Sequence, residues 1–97
     1  MLREQGNFNV GFLGFALART GRREEAEKLL SAHPDRPNQQ VLIYAGLGDK
    51  DRVFEALDRM LAAKDERVRL YLTYPELSLI RGDPRLKTFR KKAGLPE

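Results

Sequence analysis

One histidine, no cysteine and an Asp49-x-Asp51 pair are what this 97-residue chain offers to metal or catalytic chemistry. His33 stands beside Pro34 with no second histidine and no cysteine to share a zinc ion, and it reads as a solvated loop residue. Asp49-x-Asp51 imitates the opening of a calcium loop. The sixth and twelfth positions of such a loop need glycine and an acid, and here they are Phe54 and Met60. Gly46-Leu47-Gly48-Asp49-Lys50 places two glycines near a helix start, but a phosphate-binding loop follows a strand, and this segment follows a helix. It reads as an inter-helix turn. Ser31 and Ser78 have no histidine placed to activate them. No catalytic residue, metal ligand or cofactor site is assigned, and the chain is expected not to be an enzyme.

Charge offers a different chemistry. The net charge is +4, and from Arg81 onward Arg81, Arg85, Lys87, Arg90, Lys91 and Lys92 face only Asp83 and Glu97. Clustered cations attract phosphates and acidic surfaces. On a helical wheel these side chains spread over the whole non-apolar arc, and cations near a helix carboxy end are favoured by the macrodipole alone. A solvated face is the first expectation for this basic patch. A nucleic-acid or phosphate-binding accessory role is the alternative.

Composition narrows the setting. Charged residues make up 33% and hydrophobic residues 41%, the balance of a globular chain with one modest core. No apolar run approaches the roughly 18 to 20 residues that span a bilayer, and MLREQGNFNV lacks the apolar centre of a signal peptide. A cytoplasmic protein without membrane contact is expected.

Apolar spacing predicts helices to carry these residues. The first runs from about Phe8 to Arg19 with Phe8, Phe12, Leu13, Phe15 and Ala16 on one stripe. Gly11 and Gly14 interrupt it at a cost of roughly 1 kcal/mol each, which implies close approach of a neighbouring helix. The second, Arg23 to Ala32, buries Ala26, Leu29 and Leu30. Pro34 and Pro37 mark a connector. The third, Asn38 to Gly46, buries Val41, Leu42, Tyr44 and Ala45. Gly48 closes it, and Asp49 and Asp51 open a fourth reaching about Ala63, with Val53, Phe54, Leu57, Met60 and Leu61 inward. Short helical pieces follow at Val68 to Leu72 and Pro75 to Ile80. Asp83-Pro84 and Gly94 delimit a last helix, about Pro84 to Lys92, with Leu86, Phe89 and Ala93 on one side.

GFALARTGRREEAEKLL (residues 14–30) also overlays VLIYAGLGDKDRVFEAL (residues 41–57), so that Gly21 falls on Gly48, Ala26 on Val53 and Leu30 on Leu57. Repetition of this kind marks stacked helix pairs. The four positions Ala26, Leu30, Val53 and Leu57 are expected to line one shared seam.

The first unit, Leu13-Gly14-x2-Leu17 followed by Ala26-x3-Leu30, resembles a tetratricopeptide repeat (TPR). The second unit places Tyr44, Val53 and Leu57 at the corresponding positions. Residues 74–96, YPELSLIRGDPRLKTFRKKAGLP, are similar to the closing segment of bacterial tetratricopeptide-bearing regulator, cyclase and kinase proteins. That resemblance implies a carboxy-terminal portion of something larger or a short free-standing relative. It also implies an all-α fold of tandem antiparallel helix hairpins, with units at about 8–33 and 37–64 and a short C-terminal helical cap at 65–97. A non-catalytic scaffold binding a protein or peptide partner is then expected. Its groove on the first and third helices would use Phe8, Phe12, Phe15, Arg19, Asn38 and Leu42. The three phenylalanines on a terminal helix also suggest a homodimer through that face. A third reading has the domain simply cap a longer solenoid.

Overall fold

A computed structural model describes residues 10–95 of the chain, so Phe8 and Glu97 lie outside the described residues. The backbone enters the left-handed region at Gly21 (φ 88°), Gly48 (φ 76°), Lys64 (φ 58°) and Gly94 (φ 73°). After each of these the next N–H reaches back five residues: Arg22 to Leu17 O, Asp49 to Tyr44 O, Asp65 to Met60 O and Leu95 to Arg90 O, at 2.8 to 3.0 Å. This closure satisfies carbonyls that a helix end leaves without partners. Four helices therefore stop by the same device. They are α1 (Val10–Arg19), α3 (Pro37–Leu47), α4 (Lys50–Ala62) and α6 (Pro84–Lys92). Between them lie α2 (Arg23–Ala32), the short α5 (Arg67–Tyr71) and a 3-10 helix at Pro75–Ile80. No strand occurs among the described residues, as an all-α reading requires.

Helix α3 is the centre of the packing. It meets α1 and α4 most extensively and also touches α2 and the 3-10 helix. Eight of its eleven residues are buried, so no side of it is left for water. Val41, Leu42 and Ala45 join the larger core with Val53, Phe54, Leu57 and Met60 of α4. Ile43 faces the other way, into a smaller core with Val10 and Ala26 that Leu17, Leu29 and Leu30 flank. The expected single seam is therefore divided. Ala26 and Leu30 lie on one side of α3, Val53 and Leu57 on the other, because α3 stands between the two hairpin arms.

The face that α1 turns inward also differs from expectation. Leu13 and Ala16 are exposed, whereas Val10, Gly11 and Gly14 are buried. An ideal Cβ on Gly14 would collide with the Ile43 side chain, and one on Gly46 of α3 would stand 2.8 Å from both Cα and O of Phe15. The glycines are there for close approach, as their helix cost implied, and they rotate α1 so that its bulkiest stripe does not face α3. Beyond Lys64, the stretch expected as a cap supplies Val68, Tyr71, Leu72, Leu77, Ile80 and Phe89 to the larger core. It is structural filling for the whole molecule.

Replacing Gly46 with alanine gains about 1 kcal/mol of helix propensity but drives a methyl into backbone that cannot rotate away. Overpacking of this kind costs about 1–3 kcal/mol. A net loss of stability is expected for Gly46→Ala in urea denaturation, and equal or greater stability would show that α1 and α3 are not in contact there.

Candidate functional site

The first turn of α3 gathers polar groups where an apolar core would be expected. Asn38, Gln39 and Gln40 are all buried, and burial of an amide without partners is costly. The two glutamines have found theirs on other elements. Gln39 Oε1 accepts from the Gly11 N–H of α1 at 2.6 Å. Gln40 Nε2 donates to the carbonyls of His33 and Pro34 at 3.0 Å, and its Oε1 accepts from Arg59 of α4 at 2.6 Å. Burial pushes the Tyr71 phenol of α5 above its ordinary pKa, against the opposing influence of the nearby Asn38 amide. Among the described residues no buried side-chain polar atom lacks a partner.

These contacts decide the expected groove. Asn38 is only 9% exposed, and Leu42, 1% exposed, is a core residue. Neither presents a surface, which corrects their assignment to a partner-binding face. The physical reason is intramolecular: the α1–α3 face is covered by the chain's own residues after Arg67. Phe12 packs on Tyr74 with ring centroids 5.7 Å apart, Tyr71 and Tyr74 follow at 5.0 Å, and Leu77 enters the core below them. Two of the expected residues remain together. Phe15 and Arg19 line a cleft of about 360 Å³ with Lys50, Glu76 and Leu79, where the 3-10 helix passes α1 and α3. On the far side of α1, Leu13 is 51% exposed.

The basic tail is tied down in the same way. Arg85 Nη1 reaches Asp51 of α4 at 2.6 Å and its guanidinium lies 4.7 Å from the centre of the Phe54 ring. Lys92 reaches Asp58 at 3.1 Å. The two pairs are each 34 residues apart in sequence, so α6 runs in the same direction as α4 and in register with it. Asp83 accepts the Arg85 N–H at 2.9 Å as an N-cap and takes the guanidinium on both oxygens. Asp65 and Arg67 repeat this arrangement at α5. Arg81 donates to the carbonyls of Thr73 and Tyr74, both at 3.3 Å. Arg90 and Lys91 are also engaged, and Lys87 is exposed.

The groups weighed for catalysis fall into structural places. His33 is half-buried and works through its backbone, and Asp49 caps α4 by accepting the Arg52 N–H at 3.2 Å. No group of three or more His, Asp or Glu side chains able to hold a metal ion occurs among the described residues. No helix of the described structure is long and apolar enough to cross a membrane. The buried amides of Gln39 and Gln40 were missed by sequence reasoning. Their signal was a run of three amides leading an otherwise apolar helix.

The Arg85 side chain, then its N–H, hold the Asp83 carboxyl down to a pKa of about 2, below the ordinary value near 3.9. A carboxylate with a depressed folded pKa contributes stability above its unfolded pKa and loses it as pH falls through the folded one. Docking of α6, followed through the Phe89 ring resonances, is expected to weaken between about pH 4 and 2 and to lose that dependence in Asp83→Asn. Comparison with known protein families, with curated proteins and with solved structures returns no match to this chain, so a functional reading stands on its own surfaces.

Proposed function

We propose that this chain is a non-catalytic protein-interaction module whose docking element is the outer face of α1. The observation that carries this reading is compositional and geometric together. Val10 to Ala18 contains no polar side chain, yet Leu13 and Ala16 face water with Phe12 and Leu17 half-buried beside them. A helix apolar on every side belongs inside a larger packed structure. A tetratricopeptide-like stack would extend through this face, and so would pairing with a second copy.

The second copy is the occupant with the simplest chemistry. Arg19 stands at one end of α1, and among the described residues the first turn at the other end carries no charged side chain. Antiparallel pairing about a twofold axis would therefore separate the two Arg19 side chains by most of the helix length. Ten residues span only about 15 Å, and such an interface falls at the low end of specific contact areas. Weak, reversible association fits that size. The cleft beside Phe15 and Arg19 supports a second use, receiving one apolar side chain of a bound peptide, with Arg19 and Lys50 favouring an acidic neighbour. The nucleic-acid alternative has less support, since Arg85 and Lys92 already hold carboxylate partners within the chain.

Sedimentation velocity from about 10 µM to about 1 mM should show a rising mean mass, insensitive to moderate salt. Leu13→Arg should hold the chain monomeric across that range. A monomer at the highest concentration removes the self-association reading, and unchanged association in Leu13→Arg removes α1 as its site.

A further inference from the structure

Among the described residues every glycine but one has a structural reason to be glycine. Gly21, Gly48 and Gly94 hold positive φ, and Gly11, Gly14 and Gly46 lie too close to a neighbouring helix for a side chain. Gly82 has neither constraint. Its backbone is outside the left-handed region, and a Cβ placed on it would meet nothing within 4 Å.

Its surroundings are chemically one-sided. Gly82 lines a surface hollow of about 350 Å³ together with Arg81, Asp83, Leu86, Lys87 and Arg90. Its N–H makes no hydrogen bond among the described residues. Arg81 is held in place by one terminal nitrogen, which donates to the Thr73 and Tyr74 carbonyls. Nε and Nη1 of the same fork remain for another acceptor. Lys87 has no ion-pair partner among the described residues. Asp83 is the acid in the lining, and Arg85 occupies both of its oxygens while leaning away onto Asp51. The negative charge at the rim is thereby offset, while no ion pair among the described residues offsets Arg81 or Lys87.

We propose that the hollow at the Gly82 turn binds a phosphate dianion, with the Gly82 N–H and the Arg81 guanidinium donating to its oxygens and Lys87 supplying charge. A fork of guanidinium donors and a backbone N–H suit a tetrahedral oxyanion. A glycine there leaves the oxyanion room to reach the main chain. The site is independent of the outer face of α1.

The test is a titration of the labelled full chain with inorganic phosphate, followed by amide resonances at ionic strength held constant with sodium chloride. Saturable shifts are expected at Gly82 and Arg81, with Gly21 unmoved. Lys87→Gln, an exposed change, should weaken the apparent affinity about 3- to 5-fold. Gly82→Val should abolish saturation while the far-ultraviolet circular dichroism is retained, and if helix content falls, Lys87→Gln decides alone. Shifts that grow without saturating, as they do with chloride, would overturn the proposal, as would unchanged affinity in Lys87→Gln. A single-stranded oligonucleotide that moves Lys91 and Lys92 in preference to Gly82 would overturn it in favour of diffuse attraction of polyanions.

Discussion

A side chain on Gly14 or Gly46 would stand inside the contact distance of Ile43 or of the Phe15 backbone, and the separation of α1 from α3 is set at those two places. Tightly packed interiors do not absorb an extra methyl without moving backbone. With α1 held this close, Gly11 comes within 2.6 Å of Gln39, Val10 reaches Ile43 and Ala26, and Phe12 is turned toward Tyr74. The same rotation leaves Leu13 and Ala16 outside. The most apolar helix of the chain is thus partly exposed as a consequence of its fit to α3.

Much of the helix layout was legible because helix ends have local chemistry. Gly21, Gly48 and Gly94 announce left-handed stops, Asp49 and Asp83 announce caps, and Pro37 and Pro84 sit where a missing N–H is harmless. Lys64 closes α4 in the same conformation, and nothing in its residue type says so. The apolar stripe drawn on α1 is only partly turned inward, for a physical reason. Periodicity weights large apolar side chains, whereas α1 and α3 approach through Gly14 and Gly46, where an added Cβ would collide.

The expected site was less legible still. Phe15 and Arg19 share a cleft as a groove reading would have them, but Asn38 and Leu42 are buried beneath later residues of the chain. That outcome depends on residues more than twenty positions downstream folding back, which a local pattern does not encode. The basic tail shows the same limit. On a helical wheel its cations look solvated, yet Arg85 and Lys92 meet Asp51 and Asp58 across 34 residues of sequence. Exposed pairs like these contribute little stability individually. Their effect is geometric, fixing the direction in which α6 lies along α4.

Modular arrays of helix pairs commonly lose their units one at a time, since each touches only its neighbours. The amide cluster at the head of α3 works against such piecemeal melting. Gln39 is bound to α1, and Gln40 to the proline connector and to α4. Detaching any one of these elements strands an amide away from water, and the energetic penalty falls on the helix that the others also need. The head of α3 is thereby a shared joint, where several elements depend on one set of buried hydrogen bonds.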